Sequence, residues 1–154
     1  MESRSLTAGE IEIARSLFHE AIDYSRVLLI RRKWWPLQPR NTIMAPCGNL
    51  HFHPDGSAWS ADFSKEPIER QGLFIHEMAH VWQAQKRGQF YLPLMRHPFC
   101  RYDYSIRTGW WLDKYGLEQQ AEIVRHAFLM RHGKGPPGAP PRFQLETILP
   151  FRAV

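Results

Sequence analysis

The sequence predicts an α+β fold, and three observations carry that prediction. Residues 68–86 and 117–131 each repeat apolar side chains at helical spacing. Short β-prone runs at residues 27–30, 42–45 and 50–53 are separated by Gly, Pro and Asn. The chain has 154 residues, 44% hydrophobic, with six Trp and nine Phe. That is enough to bury one aromatic-rich core without disulfide staples.

The elements follow in order. Thr7-Ala8-Gly9-Glu10 reads as a capping box, in which the Thr7 hydroxyl accepts from the backbone of Glu10 and Glu10 reaches back. Ile11, Ala14, Leu17, Phe18, Ala21 and Ile22 then predict an amphipathic helix over residues 8–22. Val27 to Ile30 is expected to form a buried strand, and Pro36 and Pro39 break the next stretch into a loop or edge. Residues 42–45 and 50–53 predict a hairpin closed by Cys47-Gly48-Asn49, with Pro54-Asp55-Gly56 as the turn that ends it. An edge strand of that hairpin would suit an extended peptide lying beside the long helix. That helix is expected to start near Pro67 and stop at Gly88. Residues 90–113 are dense in aromatics, Arg and Pro without a clear period, and predict a long ordered loop. A second helix over 117–131 ends at Gly133, followed by a stiff Pro/Gly linker at 135–141 and a short tail at 143–151. The expected organisation is one domain over 1–134 and a linker with a tail over 135–154.

Inside the long helix stands His76-Glu77-Met78-Ala79-His80, an HExxH stretch. Positions four apart share a helix face, so His76 and His80 can offer two imidazoles to one metal ion. Glu77 projects beside them and can take a proton from water that the ion activates. A catalytic zinc needs a third protein ligand. The continuation HExxHxxGxxH is excluded, because Gln83 and Lys86 occupy its positions. A carboxylate from the later helix fills the role instead, where Glu118 and Glu122 share one face.

Other candidates are weaker. His51 and His53 would face one side of a strand, His97, His126 and His132 read as surface or helix-end residues, and Tyr102 and Tyr104 read as packing aromatics. His126 lies one turn beyond Glu122. Cys47 and Cys100 form no CxxC pair and are expected as reduced thiols, able to bridge only outside a reducing compartment. The N-terminus shows no apolar secretory stretch and no run is long enough to span a bilayer. Cytoplasmic residence is the expectation, with export open to a secretion system that needs no cleavable signal. The net charge of +5 favours anionic surroundings, and charge alone makes an anionic cell-wall polymer a candidate partner. Arg31-Arg32-Lys33-Trp34-Trp35 could in principle bind single strands. It is expected instead to be a solvated strand end with inward tryptophans, so neither nucleic acid nor membrane is an expected partner.

The spacing of Glu118 and Glu122 resembles that of the gluzincin metallopeptidases. The resemblance implies a small zincin-like domain in which Zn2+ is held by His76, His80 and Glu118. Glu77 would be the catalytic base, and Glu122 would orient a histidine ligand from behind. The second acid here is Glu, one methylene longer than the usual Asp, so the exchanged assignment with Glu122 on the metal stays open.

A wider set of segments is similar to small bacterial Vgr-related proteins: Leu6-Thr7-Ala8-Gly9-Glu10-Ile11, Ala21-Ile22-Asp23-Tyr24, Arg32-Lys33-Trp34-Trp35-Pro36, His76 to Gln83, and Arg96-His97-Pro98-Phe99-Cys100-Arg101-Tyr102. A looser similarity runs to HExxH domains of toxins carried by contractile injection systems. These resemblances imply a zinc peptidase linked to type VI secretion; the substrate expected of its site is a peptide, a protein or a peptidoglycan stem. The small size and the open choice of third ligand leave an alternative, a zinc-stabilised adaptor or cargo protein of the apparatus that cuts nothing.

Overall fold

The computed structural model describes residues 2–95 and 100–153 and has an α+β architecture. Three short strands, β1 (Glu2–Ser5), β2 (Leu28–Arg31) and β3 (Leu50–His51), form a sheet in that order. β1 runs antiparallel to β2 and β3 runs parallel to it. The described residues also form five α-helices: α1 (Ala8–Phe18), α2 (Ile68–Arg87), α3 (Tyr91–Met95), α4 (Leu117–Arg131) and α5 (Arg142–Thr147). No described helix is long and apolar enough to cross a membrane.

The capping box forms as expected. Thr7 Oγ1 accepts from Glu10 N at 3.1 Å, and Glu10 Oε2 accepts from Thr7 N at 2.9 Å. The helix it starts is shorter than the predicted 8–22. It ends at Phe18 because His19 adopts a positive φ of 50°, while its N–H still donates to Arg15 O. Ile22 nevertheless stays in the core, which is why the apolar period outran the helix.

Only one rung of the predicted hairpin forms, and β3 pairs elsewhere. Met44 and His51 form a single antiparallel bridge, and the regular partner of β3 is β2. The buried Gln38 side chain intervenes, donating to both Thr42 O and His51 O at 2.9 Å. β1 was invisible to periodicity because Glu-Ser-Arg-Ser has no apolar alternation. Glu2 and Ser5 are exposed, and pairing with β2 makes the strand.

α2 is buried continuously over residues 74–84, polar residues included. A one-sided apolar stripe alone would have left His76, Glu77, His80 and Gln83 facing water. Instead α4 covers that face. The two helices approach closely at Gly72, where an added Cβ would lie 2.9 Å from Leu129 Cδ2. The tail also packs back: Leu145, Leu149 and Phe151 join the common core, with Phe151 edge-on to Phe18 and Trp82.

Candidate metal centre

Gly72 meets Leu129, His76 meets Glu122, His80 meets Glu118 and Gln83 meets Leu117. α2 and α4 therefore run antiparallel. A four-residue step along one helix matches a four-residue step along the other, which carries two histidines to two carboxylates.

His80 Nε2 lies 2.6 Å from Glu118 Oε1, and His76 Nε2 lies 3.7 Å from Glu118 Oε2. The ligand atoms that His76, His80 and Glu118 offer all lie within 4.8 Å of one another. Around a tetrahedral zinc, with bonds of about 2.0–2.2 Å, neighbouring donors sit roughly 3.3–3.6 Å apart. The observed separations bracket that spacing. His80 is only 1% exposed, and its Nε2 has no hydrogen-bond partner despite the close carboxylate. A buried ring nitrogen that approaches an oxygen without hydrogen-bond geometry is what a shared cation between them would explain. The donor set fits a metal ion on these observations. Glu118 is the acid in this cluster, whereas Glu122 stands behind His76.

The far side of each imidazole is held. His76 Nδ1 is 3.0 Å from Glu122 Oε2, and Arg125 Nη1 donates to the same carboxylate at 3.1 Å. His80 Nδ1 is 2.8 Å from Gln83 Oε1. The orientation of Gln83 follows from a chain of amides. Gln120 Nε2 donates to Tyr115 O at 2.8 Å, which turns its Oε1 toward Gln83 Nε2 at 3.0 Å. Gln83 Nε2 also donates to Leu117 O at 3.0 Å. A carbonyl can only accept, so Gln83 Oε1 must face His80 Nδ1 as an acceptor. The neutral His80 ring is thereby fixed as the Nδ1–H tautomer, with the Nε2 lone pair toward the cluster. In the sequence Gln83 marks only the absence of the longer HExxHxxGxxH motif. Its position three residues after His80, on the same face, was the usable signal. Gln120 carried none.

Burial alone would depress the His76 imidazole, but the Glu118 and Glu122 carboxylates and nearby Glu77 more than reverse this and hold it up at about 9. Burial would likewise raise Glu122, but His76 and Arg125 outweigh it and hold that carboxyl down at about 2. Glu77 is buried on α2 and lines a cleft of about 260 Å³ with His76, Tyr102, Glu118 and Arg125. Tyr102 lies parallel to His76, with ring centroids 6.2 Å apart.

The remaining sequence candidates stand apart from the cluster. His126 Nδ1 is bound to Tyr104 O–H at 2.7 Å, and burial lowers its basicity. His53 Nδ1 accepts from Asp55 N at 3.0 Å, and His51 sits at the β3 bridge, its imidazole pushed down by burial. His132 packs on Phe128. Cys47 is a half-buried free thiol. His97 and the stretch 96–99 of the Vgr-like segment lie outside the described residues. Trp34 and Trp35 do not pack inward as expected: they are 39% and 45% exposed.

Fold and cluster together define a small α+β domain with a buried group of two histidines and a carboxylate, competent to hold a metal ion. No established family profile matches the chain. It is 40% identical over 147 residues to the type VI secretion system spike protein VgrG2b of Pseudomonas aeruginosa, covering 91% of this chain and 14% of that protein. The solved effector domain of Pseudomonas aeruginosa VgrG2b superposes with a TM-score of 0.76 at 34% identity, covering 95% of this chain and 83% of that one. The chain belongs to the Vgr-related family of that effector domain. It spans about one seventh of the curated spike protein's length (14%).

Proposed function

We propose that this domain is a zinc-dependent peptidase of a type VI secretion system, cutting a peptide bond in a peptide, a protein or a peptidoglycan stem. The observation that carries the reading is the convergence of His76, His80 and Glu118 at the wall of a cleft that Glu77 also lines. His76, His80 and Glu118 would hold the ion in a zincin-like arrangement, a donor set suited to zinc. When bound, zinc supplies a Lewis acid that polarises a carbonyl and acidifies water. Glu77 accepts the proton of the attacking water and delivers it to the departing amide nitrogen. Glu122 and Gln83 keep the two imidazoles oriented from behind. The likeness to a spike protein's effector domain supports export through the secretion apparatus.

The test is turnover of a general protein substrate by protein stripped with a chelator and then reloaded with zinc. Cleavage that vanishes and returns supports the reading. A zinc-bound, thermally stabilised protein without cleavage points to a zinc-stabilised adaptor or cargo instead.

Two further outcomes are expected. The raised His76 value means that its pairing with Glu118 and Glu122 stabilises the metal-free domain fully below about 6.5, a contribution lost as pH rises through about 9. A ligating imidazole must be neutral, so loading zinc at pH 7 should release roughly one proton from His76. Calorimetry in two buffers of different ionisation heat measures this, and a buffer-independent heat would remove the proton from the account. Separately, Gln83→Leu should weaken zinc affinity about 10–100-fold by releasing the His80 tautomer, read by competition with a chromogenic chelator.

A further inference from the structure

The segment between β2 and the Met44 bridge holds neither helix nor strand, yet it builds one wall of a second cleft. This cleft has a volume of about 660 Å³ and is lined by Trp34, Trp35, Pro39, Met44 and Pro46. It is continuous with the metal cluster, because Thr42, Tyr102 and Glu118 line both cavities.

Two tryptophans turned partly to water beside a candidate reaction centre form the kind of exposed apolar surface that marks a binding site. The wall is also rigid. Gln38, 3% exposed, accepts from Trp34 N at 2.8 Å and donates to Thr42 O and His51 O at 2.9 Å. It pins the tryptophan loop to the bridge strand through a single buried amide. Pro36 and Pro39 restrict the backbone on either side of Gln38. A preformed apolar wall loses little entropy when it closes on a ligand.

The chemistry of the walls narrows the occupant. A peptidoglycan stem presents small and charged side chains, which would leave the indole and proline surfaces uncovered. Nucleic acid would bring phosphate toward the Glu118 carboxylate. Two cations of this segment are also engaged elsewhere: Arg31 pairs with Glu2 at 3.3 Å and lies over Trp59, and Lys33 Nζ donates to Pro36 O at 3.2 Å.

We infer that the Trp34–Trp35 cleft takes a bulky apolar side chain, aromatic or large aliphatic, of an extended polypeptide whose scissile bond lies at the metal cluster. The substrate class is thus protein rather than cell-wall peptide. The position of the cut rests on the peptidase reading; the apolar subsite itself does not.

The experiment uses the full chain as zinc-loaded Glu77→Gln, so that binding is read without turnover. Blocked pentapeptides with Phe, Gly or Asp at the centre are titrated by calorimetry, beside a peptidoglycan stem tetrapeptide and a single-stranded oligonucleotide. The Phe peptide should bind at least about tenfold tighter than its Gly and Asp counterparts, and Trp35→Ser should reduce that preference to about twofold or less. Trp35 is half-exposed, so its replacement leaves the core intact, and an unchanged melting temperature verifies this. Equal binding of the three peptides overturns the subsite, as does tightest binding of the stem peptide or the oligonucleotide. If the Phe preference appears but zinc-loaded wild type cuts nothing, the peptidase reading fails and the subsite stands. Cleavage by wild type without any preference removes the subsite alone.

Discussion

Glu77→Gln should leave zinc content unchanged and lower turnover by about 10²–10⁴-fold, the usual worth of a positioned general base. The substitution keeps the shape of the side chain and removes only its ability to accept a proton. Its neighbours argue for that separation of effects. Glu77 is buried on α2 beside His76 and lines the cleft, yet the metal-competent group is His76, His80 and Glu118. The measurement pairs elemental analysis with steady-state cleavage. Turnover within a few-fold of wild type would take Glu77 out of the mechanism, and loss of zinc together with activity would make it a structural support of the centre.

Glu10→Ala should cost about 3–5 kcal/mol of folding stability, near the upper end of what single changes do. Glu10 is fully buried, and its carboxylate is held by the Arg4 guanidinium and by backbone N–H groups. It receives two hydrogen bonds from Arg4, at 2.8 and 2.9 Å, one from Thr7 N and one from Phe63 N, the last two both at 2.9 Å. Removing the carboxylate strands the Arg4 guanidinium in a half-buried position and opens two backbone donors. The same group ties the start of α1 to the turn that leads into α2, through Arg4 to Ser60 O and Thr7 to Asp62. Urea unfolding of the variant beside wild type reads the difference. A change below about 1 kcal/mol would show that the network is replaceable by water.

The sequence made the helices legible and the sheet much less so. α2 and α4 announce themselves because apolar residues recur every three or four positions across several turns, and that period belongs to a helix alone. The strands are two to four residues long, so alternation has no room to accumulate. β1 owes its existence to pairing with β2, a contact some twenty-five residues away along the chain. The hairpin was legible only in part for a related reason. Cys47-Gly48-Asn49 folds the chain back and Met44 pairs with His51, but Gln38 takes Thr42 O, the acceptor that the next rung would have used.

At the centre, the His76 and His80 pair followed from helix geometry, and an acid from the later helix followed from the need for a third ligand. What could not be read was the lateral register of α4 on α2. Close approach at Gly72 and Leu129 sets it, and that register puts Glu118 in the cluster and Glu122 behind His76. The Gln83–Gln120 amide chain depends on the same packing, and so does the exposure of Trp34 and Trp35 on a loop held by Gln38.

Zinc analysis of wild type beside Glu118→Ala and Glu122→Ala bears most directly on the claim that an ion sits between α2 and α4. Roughly one zinc per chain is expected in wild type and in Glu122→Ala, with affinity in the latter lowered about 10–100-fold, and essentially none in Glu118→Ala. A wild-type chain that takes up no zinc, or a Glu118→Ala chain that keeps a full equivalent, would contradict it.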